Sequence, residues 1–326
     1  MITDIHCHLV PEAYLRHVEA ERAFRVRCAW HAGGTAQLDV GEKAYRFSRD
    51  FVDPARHIAR MDRLGIDRSV VSLATPLVNY SATGAAGLHA ARLFNDELAK
   101  VVSAYPTRFL GWAFLPMQDP EAAAAELHRA VRDLGLRGGH LGSNVNGRYL
   151  DAPQYDPIFR AATDLDVPLF IHPTNPPGQD RLRDYELEVV GGYLFDSTLN
   201  IFHMIFGGLL DRYPTLTLCC PHVGGYALLL RNRMQREVGT NPLIAQRIAR
   251  PVGDYLRRLY YDTICFEGNY LDYAVKTVGA DRFVLGSDFP FLLGEPDPVA
   301  FVRGVYPHGD MGTRILGENA ARMLKL

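Results

Sequence analysis

Eight runs of apolar, β-branched and aromatic residues recur along the chain, at 2–8, 69–74, 109–115, 138–142, 168–172, 216–222, 259–263 and 283–288. They are near-continuous rather than alternating, as strands covered on both faces must be. Helix-like stretches lie between them, at 54–64, 87–105, 120–134, 157–164, 199–213 and 270–278. Strand then helix, repeated around a closed parallel sheet, specifies an α/β fold, the (β/α)8 barrel. Gly65 after an apolar-periodic run, and the Tyr-Pro-Thr triplets at Tyr105 and Tyr213, supply helix stops. Residues 11–53 follow the first strand without a clean period and are expected to form an insertion over the barrel mouth. Residues 173–196, opening with PTNPPG, are expected to form a lid after strand 5.

At 326 residues, one barrel fits as a single domain spanning 1–326. Apolar residues make up 48% of the chain, enough to fill a large core and inconsistent with disorder. The net charge of -2, with no Lys/Arg block, provides no field for nucleic acid or anionic membrane. The first residues lack a basic n-region and no apolar run could span a bilayer, so a cytoplasmic location is expected. Five cysteines, an odd number without a CxxC pair, indicate neither a disulfide framework nor a zinc finger.

In Asp4-Ile5-His6-Cys7-His8, two imidazoles sit two apart on a strand, where period two sends both to one face and Cys7 to the other. His172 ends the fifth run, His222 the sixth and Asp288 the eighth. In a parallel barrel those strand ends converge on one face, the face that carries chemistry. Imidazoles joined by a carboxylate suit one divalent metal, zinc first, with manganese, iron or cobalt as alternatives. A two-metal barrel needs a bridging group, commonly a modified lysine on the fourth strand. The lysines here are Lys43, Lys100, Lys276 and Lys325, none at a strand end, and the fourth run offers His140 instead. His17, His57, His89, His128 and His308 fall on helices or loops and are expected to be solvated. Glu267 and Asn269 lie near the mouth by position.

Several stretches carry a family resemblance over nearly the full length: DIHCH, DPARHIARMDRLGID, SAYPTRFLGWAFLPMQDP, LFIHP, PHVGG and GSDFPFLLGEPDP. With these the chain resembles the amidohydrolase-2 group of the amidohydrolase superfamily, and within it the muconate-semialdehyde type of decarboxylase. The resemblance implies His6, His8, His172 and Asp288 as metal ligands and His222 as the catalytic histidine; acid–base chemistry adds the expectation that Asp288 also shuttles a proton. It implies Arg49 as the residue that binds the substrate carboxylate, Phe291 as a pocket aromatic, and a homodimer. The bland alternatives are a surface pair of Arg49 with Asp50 or Asp53, and rim packing for Phe291. The chain departs from the family's pattern at Glu186 and Val189, where tryptophans are usual. Near Asn241 there is no counterpart of an arginine lent by a partner subunit. His140 replaces a polar, non-imidazole residue and is expected to contact a different substrate group.

The expected function is metal-dependent, non-oxidative decarboxylation of a small aromatic or unsaturated carboxylic acid, by a metal-activated water and His222. The rival is a hydrolase or hydratase of an amide, lactone or enoic acid at the same site. A barrel that only binds metal has no use for a fifth group such as His222.

Overall fold

The computed structural model describes residues 1–82 and 84–326. Strand β1 (Thr3–His8) is followed by the helix Glu12–Ala20 and three antiparallel strands, β2 (Val26–Trp30), β3 (Thr35–Val40) and β4 (Lys43–Ser48). Parallel strands then alternate with helices: β5 (Arg68–Ser72), β6 (Phe109–Gly111), β7 (Ala113–Phe114) and β8 (Gly139–Gly142). A small antiparallel pair, β9 (Asn144–Val145) and β10 (Arg148–Tyr149), precedes β11 (Leu169–His172), β12 (Leu218–Cys220) and β13 (Tyr260–Tyr261).

The parallel strands close on themselves. One sheet runs β1-β5-β6 and another β13-β12-β11-β8-β7. Trp112 joins them, donating its backbone N–H to Val71 O at 2.9 Å while Ala113 donates to Gly138 O at 2.8 Å. The other seam is filled by residues 283–289: Val284 donates to Tyr261 O and Ile5 to Leu285 O, both at 2.9 Å, and His8 donates to Phe289 O at 2.7 Å. The eighth expected strand is therefore present as a seam of bridges, Tyr261 to Phe283 and Cys7 to Phe289, rather than as a regular strand. Its backbone leaves the pleat at Asp288, which takes φ 60°.

Local chemistry explains the helix starts. Asp53, Asp119 and Asp297 each cap a helix with the side chain and are each followed by proline at the first turn, in Pro54–Leu64, Pro120–Arg132 and Pro298–Val305. Gly65 ends the first of these in the left-handed region, φ 68°. Inside the barrel, Ile5, Val70, Trp112, Phe170, Cys219, Tyr260 and Val284 pack with Ala320, Met323 and Leu324 of the C-terminal helix. That cluster plugs the end opposite the strand termini. Among the described residues no helix is long and apolar enough to cross a membrane.

Residues 26–48 form a three-stranded meander, where the sequence showed no clean period. Its inner edge is aromatic: Trp30 lies 5.9 Å from Phe47, which stacks on Phe51 at 4.5 Å, and Phe51 meets Phe291 at 5.0 Å. The meander also pairs with the segment after β11, through Lys43 to Glu188 at 2.6 Å and Arg46 to Glu186 at 3.3 Å.

Candidate metal centre

The strand ends bring five side chains together. Along β1 the register shifts between Asp4 and Cys7, a bulge of the kind that re-aims side chains beside active sites. His6 and His8 consequently share the barrel interior, with Nε2 atoms 3.1 Å apart, while Cys7 turns back to donate to Asp4. Asp288 Oδ1 lies 3.1 Å from His6 Nε2 and 2.9 Å from His8 Nε2. His222 Nε2 is 3.6 Å from Asp288 Oδ2. One ligand atom from each of His6, His172, His222 and Asp288 falls within 4.8 Å of all the others. His222 thus belongs to that tight set, and His8 joins it through its short distances to His6 and Asp288.

Partners on the far ring nitrogens decide what these histidines can do. His6 Nδ1 faces Asp262 Oδ2 at 2.7 Å, His8 Nδ1 faces Leu73 O at 3.2 Å, and His172 Nδ1 faces Pro173 O at 2.9 Å. Carboxylates and carbonyls only accept, so Nδ1 of His6 carries the proton and its Nε2 turns a lone pair inward; at His8 and His172 a hydroxyl also meets Nδ1, Ser72 Oγ at 3.2 Å and Thr75 Oγ1 at 2.6 Å, and accepts alongside the carbonyl when Nδ1 carries the proton. Facing lone pairs at 3.1 Å repel unless a cation or proton lies between them. The pKa directions agree. Burial lowers the His6 pKa, but Asp288 and Asp262 outweigh it and push it up to about 10. Burial would raise the Asp288 carboxyl, yet His6, His222 and His8 hold it well below the usual range. Burial, reinforced by the neighbouring histidines, keeps His172 neutral, and burial likewise lowers His8. The donor set therefore demands positive charge at its centre and fits a divalent cation.

The five differ in access. His6 and His8 are fully buried and His172 is 4% exposed, whereas His222 and Asp288 keep 12% and 14% of their side chains open. Both of the latter have left-handed backbones, φ 54° at His222 and 60° at Asp288, a strain that surrounding structure must hold.

The other expected site residues are spread more widely. Phe291 meets the edge of His8 at 5.1 Å and links it to Phe51, so it does reach the cluster. Arg49 does not: its guanidinium lies over Trp30 at 4.1 Å and pairs with Glu12 at 3.0 Å, and its side chain is 44% exposed. The surface aspartates suggested as its partners bind Arg56 instead. His140 is fully buried, paired in register with Phe170 and 6.1 Å from His172. It sits a layer beneath the cluster, with both ring nitrogens unpartnered, and not at the mouth. His57, expected to be solvated, is buried and bonds Asp50 O at 2.8 Å, because the helix Pro54–Leu64 turns that face to the barrel. Glu267 caps the helix Gly268–Val278 by accepting from Asn269 N.

Sequence reasoning passed over Asp262, which is fully buried and touches both His6 and the His222 turn. Its signal was present: an acid in the apolar run Leu-Tyr-Tyr-Asp-Thr, 259–263, has to be paired.

The family model described as amidohydrolase matches residues 3–326. The chain belongs to the amidohydrolase family. This amidohydrolase is 31% identical over 329 residues to a 2-amino-3-carboxymuconate-6-semialdehyde decarboxylase of Dictyostelium discoideum, covering 99% of this chain and 91% of that one. It is 33% identical over 255 residues to a gamma-resorcylate decarboxylase of Polaromonas sp., covering 72% and 76% of the two chains. Among solved structures it superimposes on a 2,6-dihydroxybenzoate decarboxylase from Rhizobium with a TM-score of 0.77 and 28% identity, over 85% of this chain and 90% of the other.

Proposed function

We propose that this amidohydrolase is a metal-dependent, non-oxidative decarboxylase of a small aromatic or muconate-semialdehyde-type carboxylic acid. The observation that carries this reading is the division within the cluster. His6, His8 and His172 are buried with Nδ1 fixed, which suits ligands, while His222 and Asp288 are open to the mouth, which suits groups that meet a substrate. The relatives' names point to decarboxylation of such acids.

His6, His8, His172 and Asp288 would hold one divalent metal, zinc first by its preference for imidazole. Bound there, the metal would polarise a substrate oxygen and stabilise the charge left as CO2 departs. His222 Nε2 lies 3.6 Å from Asp288 Oδ2, where the pair would deliver a proton to the carbon that loses the carboxylate. The bond to the carboxylate carbon breaks, its electron pair stays on the substrate carbon, and the proton replaces CO2 there. Phe291 flanks the reacting group. Arg49 would exchange Glu12 for the substrate carboxylate beneath the 11–53 insertion and the 173–196 lid, which meet through the Lys43 and Arg46 pairs to Glu188 and Glu186. His140 would form the floor beneath the ligands. The assembly is proposed to be a homodimer.

Metal analysis followed by a CO2-release screen over dihydroxybenzoates and muconate-type acids tests this. Release that requires metal, and that falls about 100-fold or more in His222→Gln with metal content retained, is expected. A hydrated or hydrolysed product without CO2 would instead establish the hydratase or hydrolase reading.

A further inference from the structure

Asp262 follows β13 and has no solvent exposure. A bare carboxylate in that position is strongly disfavoured, so its partners matter. Oδ2 accepts from His6 Nδ1–H at 2.7 Å. Oδ1 accepts from Val223 N–H at 3.3 Å and Ile264 N–H at 3.1 Å. The two oxygens therefore face different parts of the site.

On one side, the bond to His6 settles which nitrogen carries the proton and leaves Nε2 free to bind. On the other, Val223 is the second of two consecutive non-glycine residues with positive φ, both 54°, in the turn that presents His222. Left-handed backbone is unfavourable for a β-branched valine and persists only where neighbours hold it. The bond from Val223 N–H to Asp262 is such a hold.

We propose that Asp262 is a positioning residue for both halves of the site: it orients a metal ligand with one oxygen and the His222 turn with the other. This rests on the reading of His6 as ligand and His222 as the proton-transfer group. Metal affinity and the proton-transfer step then depend on one carboxylate, and neither histidine can shift without the other.

Asp262→Asn tests it, because an amide has one oxygen for three donors on two sides. Turned to Val223 and Ile264, that oxygen leaves an NH2 facing His6 Nδ1, which drives the His6 proton to Nε2 and blocks the ligand position. Turned to His6, it leaves the NH2 against two backbone N–H groups and loosens the His222 turn. Zinc affinity measured by chelator competition is expected to weaken about 10–100-fold, and kcat at saturating zinc to fall about as much, with the circular dichroism spectrum unchanged.

In wild-type protein loaded with 113Cd, coupling is expected at His6 Nε2 together with a slowly exchanging Nδ1–H proton. That measurement does not depend on the variant folding. Coupling at Nδ1, or Asp262→Asn binding zinc as the wild type does, overturns the proposal, and weak zinc binding with wild-type kcat overturns the link to His222. Failure of the wild type to bind zinc or cadmium at all would instead remove the metal-site reading beneath it.

Discussion

Gly286 lies where the closing seam passes between His6 and Asp262. A Cβ at this position would come 2.8 Å from Asp262 Cβ and 3.1 Å from His6 Cβ. Carbon atoms in good contact sit about 3.5–4.0 Å apart, so Gly286→Ala forces both residues outward by roughly half an ångström or more. Both obstructing atoms are first side-chain carbons fixed to backbone, so neither can rotate away. Gly286 has no left-handed backbone, so the effect is steric rather than conformational. Overpacking of this kind destabilises by about 1–3 kcal/mol. At about 2.1 cal/mol/K of unfolding entropy per residue, a chain of 326 residues should lose about 2–4 °C in Tm. The wedge also acts directly on the 2.7 Å bond between His6 and Asp262, so zinc should be retained less well. Gly304→Ala is the control: it is helical with open space around its Cβ, and it should be neutral or slightly stabilising. Calorimetry on metal-stripped protein and zinc analysis after dialysis read the two effects. Gly286→Ala with wild-type Tm and zinc content would refute the reasoning.

His57 has its pKa pulled down to about 4 by burial, against 6.5 unfolded. Below 6.5 the unfolded chain therefore binds the proton first, and stability present above pH 6.5 is lost between 6.5 and about 4, by on the order of 3 kcal/mol. Urea unfolding at pH 7 and pH 4.5 should show a smaller difference for His57→Gln than for wild type; equal differences would discount His57. Arg49→Ala should raise KM for the acid at least tenfold while stability changes by less than about 1 kcal/mol, because its pair with Glu12 is exposed. An unchanged kcat/KM would leave Arg49 with a surface role.

The barrel strands were legible because parallel strands buried on both faces leave long apolar runs, and the residues of the candidate centre were legible because they end those runs. The helix starts were readable from Asp-Pro pairs, as at Asp53 and Pro54. The meander at 26–48 was harder, since its alternation is weak. Its Gly41–Glu42 turn, with Gly41 at φ 63°, is the hairpin signal that a period search overlooks. The position of Arg49 was not readable at all, because a long exposed side chain chooses among acids by geometry. Glu12 lies 37 residues away in sequence, and nothing local marks it. His57 was misjudged because a helix position alone does not say which face meets the barrel. Asp262 went unnoticed because its distant partners, His6 and Val223, lie on two other segments.

The seam that joins the first strand to residues 283–289 has a consequence for biosynthesis. His8 and Asp288 stand 280 residues apart, so at about 5–20 residues per second the two N-terminal histidines wait roughly 14–56 s on the ribosome for their carboxylate. No nascent fragment ending before that acid can assemble the cluster, so on the proposed metal-site reading any ion would bind only after translation of nearly the whole polypeptide.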